Sequence, residues 1–174
     1  MTFDRTKWQF LWRITLMGYA LLMIWLMFFR SRSGIWVDSS DYLNRLREQI
    51  NLRPLRMILD YWDILTRREY YIEKWEAASI YRYHARQAFI NLFGNICMLI
   101  PLGFLLPGNF EKLRTLFKTL LAVAGIILTV ELLQLLTLAG HCDIDDLILN
   151  LLGASIGYGL YRLLHTVTEK HRHK

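Results

Sequence analysis

The sequence predicts an all-α integral membrane protein with four transmembrane helices and an amphipathic, partly helical outer loop between the first and second. Three observations predict it. Hydrophobic residues fill 54% of the 174 positions, and the mean hydropathy is +0.23. Residues 88–110 hold no Asp, Glu, Lys, Arg or His across 23 positions, and about 20 helical residues rising 1.5 Å each cross a hydrocarbon core of roughly 30 Å. The charged residues cluster between apolar runs, so nearly all the apolar surface belongs to the spans. That distribution excludes disorder, a collagen-like chain and a large soluble enzyme core. The whole chain, 1–174, reads as one membrane domain.

The first span is expected over about 8–29. Residues 14–29 are uncharged, and the run lengthens toward Trp8 if Arg13 snorkels to the headgroups. Arg30, directly after it, fits a retained anchor better than a cleaved signal peptide. The connection 30–87 looks ordered. Ser40 can cap a helix on which Leu43, Leu46 and Ile50 recur at helical spacing, and Pro54 then breaks the pattern. Beyond it Leu55, Ile58, Leu59, Trp62 and Leu65 form a second apolar stripe, with Arg56, Asp60, Asp63 and Arg67 elsewhere on the wheel. Such a helix suits the membrane interface, as do Tyr61, Tyr70, Tyr71, Trp75, Tyr81 and Tyr83. The same aromatics would also serve as packing on the protein's own outer surface. The second, third and fourth spans are expected over about 88–107, 117–139 and 146–164, with Glu131 alone charged in 119–140 and Arg162 alone in 147–164.

The net charge of +6 does not point to nucleic acid, because the basic residues flank the spans instead of forming one patch. Segments 1–13, 111–118 and 162–174 carry three, three and four Lys/Arg against one acid each, while 139–146 carries Asp143, Asp145 and Asp146 with no Lys or Arg. The positive-inside rule therefore puts both termini in the cytoplasm and the acidic loop outside. By the same parity 30–87 lies outside, although its basic residues outnumber its acids 11 to 8. Cys97 falls near mid-membrane and Cys142 in the outer loop, too far apart for a disulfide.

Each of three spans offers a polar seam. Asn91 and Asn95 share a face of the second, Glu131 and Gln134 of the third, and Asp146, Asn150, Gly153 and Gly157 of the fourth. Asn95 and Glu131 lie roughly 10 Å below the surface and Asn150 roughly 7 Å at 1.5 Å per residue, all on the side of the acidic loop. Asn, Gln and the small residues Gly94, Gly153 and Gly157 are the ordinary means of joining membrane helices. Glu131 differs: an ionisable group inside a span costs something like 2.5–3.5 kcal/mol on insertion scales, which makes it a functional candidate.

Three stretches resemble the VanZ-like family of bacterial membrane proteins. The first is Asn51-Leu52-Arg53-Pro54-Leu55-Arg56. The second is Asn91-Leu92-Phe93-Gly94-Asn95 running into Ile100-Pro101-Leu102-Gly103-Phe104. The third is Glu131-Leu132-Leu133-Gln134, then Asp143-Ile144-Asp145-Asp146 and Asn150, then Gly153-Ala154 and Gly157-Tyr158. In order they cover residues 51–158. Two positions depart from the family pattern: Leu55 stands for the usual Phe, and Gly140-His141-Cys142 replaces a stretch that often opens with Arg. His141 would substitute for that Arg only when protonated.

The resemblance implies a cell-envelope protein of the bacterial cytoplasmic membrane associated with low-level teicoplanin resistance, without an agreed reaction. The leading expectation is a non-enzymatic protein whose outer pocket, built from Asn91, Asn95, Glu131, Gln134, His141, Asp146 and Asn150, binds or shields a lipid, a lipid-linked cell-wall precursor or a lipophilic glycopeptide. Asn51, Pro54, Arg56 and Trp62 would form the interfacial loop. The alternative is an intramembrane enzyme acting on a lipid-linked phosphate or ester through Glu131 and Asp143, Asp145 or Asp146. No nucleophile motif, phosphate loop or zinc spacing accompanies those acids, and no cofactor or metal is expected. A transporter of four short spans would need a homo-oligomer to enclose a path.

Overall fold

The computed structural model describes residues 5–26, 42–137 and 142–172. In chain order the elements are α1 (Arg5–Ile24), α2 (Tyr42–Glu48), β1 (Ile50–Asn51), α3 (Arg56–Thr66), α4 (Arg68–Lys74), α5 (Ala78–Asn109), a 3₁₀ turn (Glu111–Leu113), α6 (Leu116–Leu136), β2 (Cys142–Asp143) and α7 (Ile144–Arg172). Three helical stretches are long and apolar enough to cross a membrane: Ala78–Asn109, Leu116–Leu136 and Ile144–Thr166. The apolar part of the first helix, Gln9–Ile24, is shorter. Leu121, Leu132, Leu136, Leu152 and Leu163 stand exposed on these helices, a surface that hydrocarbon covers and water would not.

α5 is the hub, touching α1, α3, α4, α6 and α7. It begins at Ala78, well before the uncharged run, and at 32 residues is about 48 Å long. Its first turns, with Arg82, His84 and Arg86, therefore extend past any hydrocarbon core. Pro101 and Pro107 lie inside it without ending it. Each removes one backbone donor, a loss that neighbouring helices make tolerable in a membrane. Next to the missing rung at Pro101, the Tyr19 hydroxyl of α1 donates to the Met98 carbonyl.

The closest packing joins α5 to α7. A Cβ at Gly153 would strike the Ile96 carbonyl, one at Gly157 the Ile100 carbonyl, and one at Gly103 the backbone of Ala154. Gly94, grouped with these glycines on sequence, has only an ordinary contact at 3.8 Å to Ile90. It does not mark a close approach. The adjoining core is Leu99, Leu102, Leu106, Val123, Ile127 and Ala154. α1 leans mainly on α5, stacking Trp12 on Phe104 with ring centroids 5.2 Å apart.

A small cap covers the end where α5 and α7 begin. Here one expectation is corrected: Ile50 is not on the helix of Leu43 and Leu46. α2 stops at Glu48, and Ile50–Asn51 pairs in parallel with Cys142–Asp143, Ile50 opposite Cys142. The partner strand lies some 90 residues away, so local periodicity carries no sign of it. Ser40 lies outside the described residues.

Along α3 the apolar stripe divides. Ile58 and Leu65 turn partly inward, while Leu59 and Trp62 are 62% and 57% exposed. The aromatics divide too: Tyr81 is buried, and Tyr71, Trp75 and His84 stack in series. Tyr70 and Tyr83 stay exposed.

Candidate functional site

The acidic triplet separates into three roles. Asp143 closes β2 and caps α7, its Oδ1 accepting the Asp145 amide at 2.9 Å; an Asp before a helix satisfies one of the unpaired amides of the first turn. Its Oδ2 takes the Asn51 side-chain amide at 2.9 Å, which ties the cap strand to α7. Asp145 is fully buried and accepts the Leu55 amide at 2.5 Å and the Ile58 amide at 3.1 Å. These are the amides of the residue that precedes α3 and of its third residue, and α3 has no side-chain cap from its own N-cap residue. Leu55 enters with φ 64, a left-handed conformation in which a side chain other than Gly, Asn or Asp is uncommon. Asp145 thus supplies both the acceptor and the negative charge that an α-helix N-terminus favours. The conformation of Pro54-Leu55 follows from this anchor, and Pro54 and Arg56 themselves are exposed.

Asp146, the last of the triplet, turns to α5, where the Asn95 side-chain amide donates to its Oδ1. Glu131, near the end of α6, is only 7% exposed and accepts the Cys142 thiol at 3.6 Å. Burial pushes that thiol's pKa up, and the charges of Glu131, Asp143 and Asp146 push it further. Asn150, one turn beyond Asp146, is 5% exposed and its Oδ1 has no partner. Asn91 is drawn instead toward the cap, donating to the Tyr61 hydroxyl at 2.9 Å. Gln134 is half-buried one turn along α6, and His141 lies outside the described residues.

The structure thus joins Asn95 to Asp146 and Cys142 to Glu131, leaves Asn150 buried one turn beyond Asp146, and joins Asn91 to Tyr61 in the cap; Cys142 and Tyr61 are partners that sequence reasoning missed. Cys142 had a signal, its place beside the acids. Tyr61 had none, because its hydroxyl meets Asn91 from a separate helix. Asp143 and Asp145 have their oxygens engaged by amides, so acid–base chemistry in this region would fall to Glu131 and Asp146. Among the described residues no group of three His, Cys, Asp or Glu side chains could hold a metal ion. What the cluster offers is acceptors: two carboxylates and an unpaired amide oxygen, away from bulk water.

A family model described as VanZ/LLP1 matches residues 16–165. The chain belongs to the VanZ/LLP1 family. It is 30% identical over 122 residues to Protein VanZ of Enterococcus faecium, a match covering 64% of this chain and 72% of that protein. No solved structure matches it. The VanZ/LLP1 match takes in the cap anchor, the polar cluster and the glycine contacts alike, and with the apolar helices it makes this a membrane protein.

Proposed function

We propose that this VanZ/LLP1 protein spans the bacterial cytoplasmic membrane four times, with both termini cytoplasmic and the cap outside. In this reading the cluster beneath the cap binds or shields the headgroup of a lipid, a lipid-linked cell-wall precursor or a lipophilic glycopeptide, the basis of a link to low-level teicoplanin resistance. α3 lies in the interface with Leu59 and Trp62 toward lipid. The observation that carries the reading is Glu131. A carboxylate buried near the end of an apolar helix needs strong donors if its role is structural, and the described partner is a thiol, a weak one.

Two expected results test it. An alkaline phosphatase fusion at Glu76 is active and one after Lys174 inactive; the opposite pattern would place the cluster on the cytoplasmic side. Glu131→Gln and Asp146→Asn preserve shape and leave extracted yield near wild type. Both lose the lipid or precursor that native purification and mass spectrometry recover with the wild type, and with it any teicoplanin tolerance. Retention by both variants would remove the binding reading.

A further inference from the structure

α5 carries a second arrangement on a face that the other helices leave open. Tyr81, Ala88, Leu92 and Leu99 turn inward and are buried. One flank meets α3 and α4, where Asn91 donates to Tyr61 and His84 stacks on Trp75. Arg82, Arg86, Phe89 and Phe93 follow spacings of four, three and four residues, so they form one stripe on a different face. All four are exposed, and the two rings face each other with centroids 4.7 Å apart.

The charge on this stripe is uncompensated. α5 holds no other Lys or Arg and no Asp or Glu. Among the described residues neither Arg82 nor Arg86 has an ion pair, a side-chain hydrogen bond or a ring beneath it, whereas Arg67 pairs with Asp63 and lies over Tyr70, and Lys74 lies over Tyr70 and Tyr71. The first turn of α5 has neither an acid nor a side-chain cap, so the positive end of the helix dipole adds to the same potential.

The stripe also crosses the membrane boundary. The uncharged run begins at Ala88, so Arg86 and Arg82 stand about 3 and 9 Å before it at 1.5 Å per residue. The headgroup region adds roughly 5–8 Å on each side of the hydrocarbon core, and a long Arg stem spans the remainder. Phe89 and Phe93 fall just inside the core. A phosphate at this level meets two planar guanidinium forks one turn apart, groups that engage it bidentately, and the hydrocarbon below meets two aromatic rings. A choline lipid offsets the charge of its own phosphate, so complementarity favours a head with net negative charge.

We infer that this stripe binds an anionic phospholipid, its phosphate held by Arg82 and Arg86 and an acyl chain laid along Phe89 and Phe93. The site is separate from the polar cluster under the cap and stands whether or not that cluster binds a headgroup. In the test, phosphatidylglycerol, phosphatidylcholine or inorganic phosphate is added to the full chain in a non-ionic detergent, with bound lipid read by native mass spectrometry and stability by thermal shift. Phosphatidylglycerol binds at least about tenfold tighter than phosphatidylcholine, because each basic side chain beside an anionic headgroup contributes a several-fold factor. Inorganic phosphate at the same concentration neither stabilises the protein nor displaces the lipid.

Arg82→Gln with Arg86→Gln abolishes the preference. Arg53→Gln with Arg68→Gln, the same change of net charge at exposed positions of the cap, keeps it. Arg82→Lys with Arg86→Lys retains the charge without the fork and holds an intermediate preference, which separates lost binding from a folding defect. Phe89→Ala with Phe93→Ala weakens both lipids alike. A smaller preference in the wild type, or its equal loss in the Arg53 and Arg68 variant, would overturn the site. Displacement of the lipid by inorganic phosphate at equal concentration would overturn the lipid assignment.

Discussion

Gly157→Ala should lower the thermal stability and extracted yield of the protein, although Ala in place of Gly inside a helix ordinarily gains about 0.8–1 kcal/mol. The added Cβ would fall on the Ile100 carbonyl and close to the Phe104 amide. Both are backbone atoms of a neighbouring helix, so no side-chain rotation relieves the contact and α5 and α7 must separate. Overpacking of this kind costs typically 1–3 kcal/mol, and separation also loosens the matching contacts at Gly153 and Gly103. Close approach through small residues is a principal source of cohesion between membrane helices, so the loss should outweigh the propensity gain. The control is Gly159→Ala, on the same helix with nothing within 4 Å of the new Cβ. It should match or slightly exceed wild type. For a chain of this size about 2–4 °C of melting temperature corresponds to each kcal/mol, which a thermal-shift assay resolves. Equal stability of the two variants would mean that α5 and α7 do not pack as described.

Asp145→Ala should release the cap while leaving the spans in place. It orphans the Leu55 and Ile58 amides, each at about 1–3 kcal/mol when buried, and removes the charge at the start of α3. The sum, about 2–6 kcal/mol, falls on a part of the molecule held otherwise by a two-residue strand pair and by the packing of α3 and α4 on α5. Limited proteolysis in detergent should then cleave between residues 49 and 76 at least tenfold faster than in wild type, with membrane integration unchanged. Asp145→Asn, which keeps one acceptor but sets an amide group against a backbone N–H, should fall between. Asp146→Asn should leave the cleavage rate alone, because Asp146 pairs with Asn95 and not with α3. If the two neighbouring aspartates behaved identically, the division of roles within the triplet would be wrong.

Runs without charge were enough to find the three long apolar helices, because a bilayer core admits few charges and demands about 20 apolar residues of any helix that crosses it. The 3.6-residue period likewise placed Asn91 with Asn95, and Asp146 with Asn150, Gly153 and Gly157, on common faces. Those inferences depend on a single helix at a time. Whether a face meets another helix, and which atom waits there, does not. Gly94 and Gly153 look alike in the sequence, yet one has room and the other abuts a carbonyl.

Taken by itself, then, the sequence determined the class of the molecule, its apolar helices, and the polar stripes along them, since each follows from composition and spacing read within one segment. Only the tertiary structure decided that Ile50 leaves its helix to pair with Cys142, that Asp145 caps a helix about 90 residues before it, and that Glu131 answers to a thiol. It alone shows Asn150 with an unpaired oxygen. The physical reason is common to all of these. A hydrogen bond or a gap between segments far apart in the chain depends on how the helices are set against one another, and that setting is fixed by close backbone contacts such as Gly157 on Ile100, which no local pattern records.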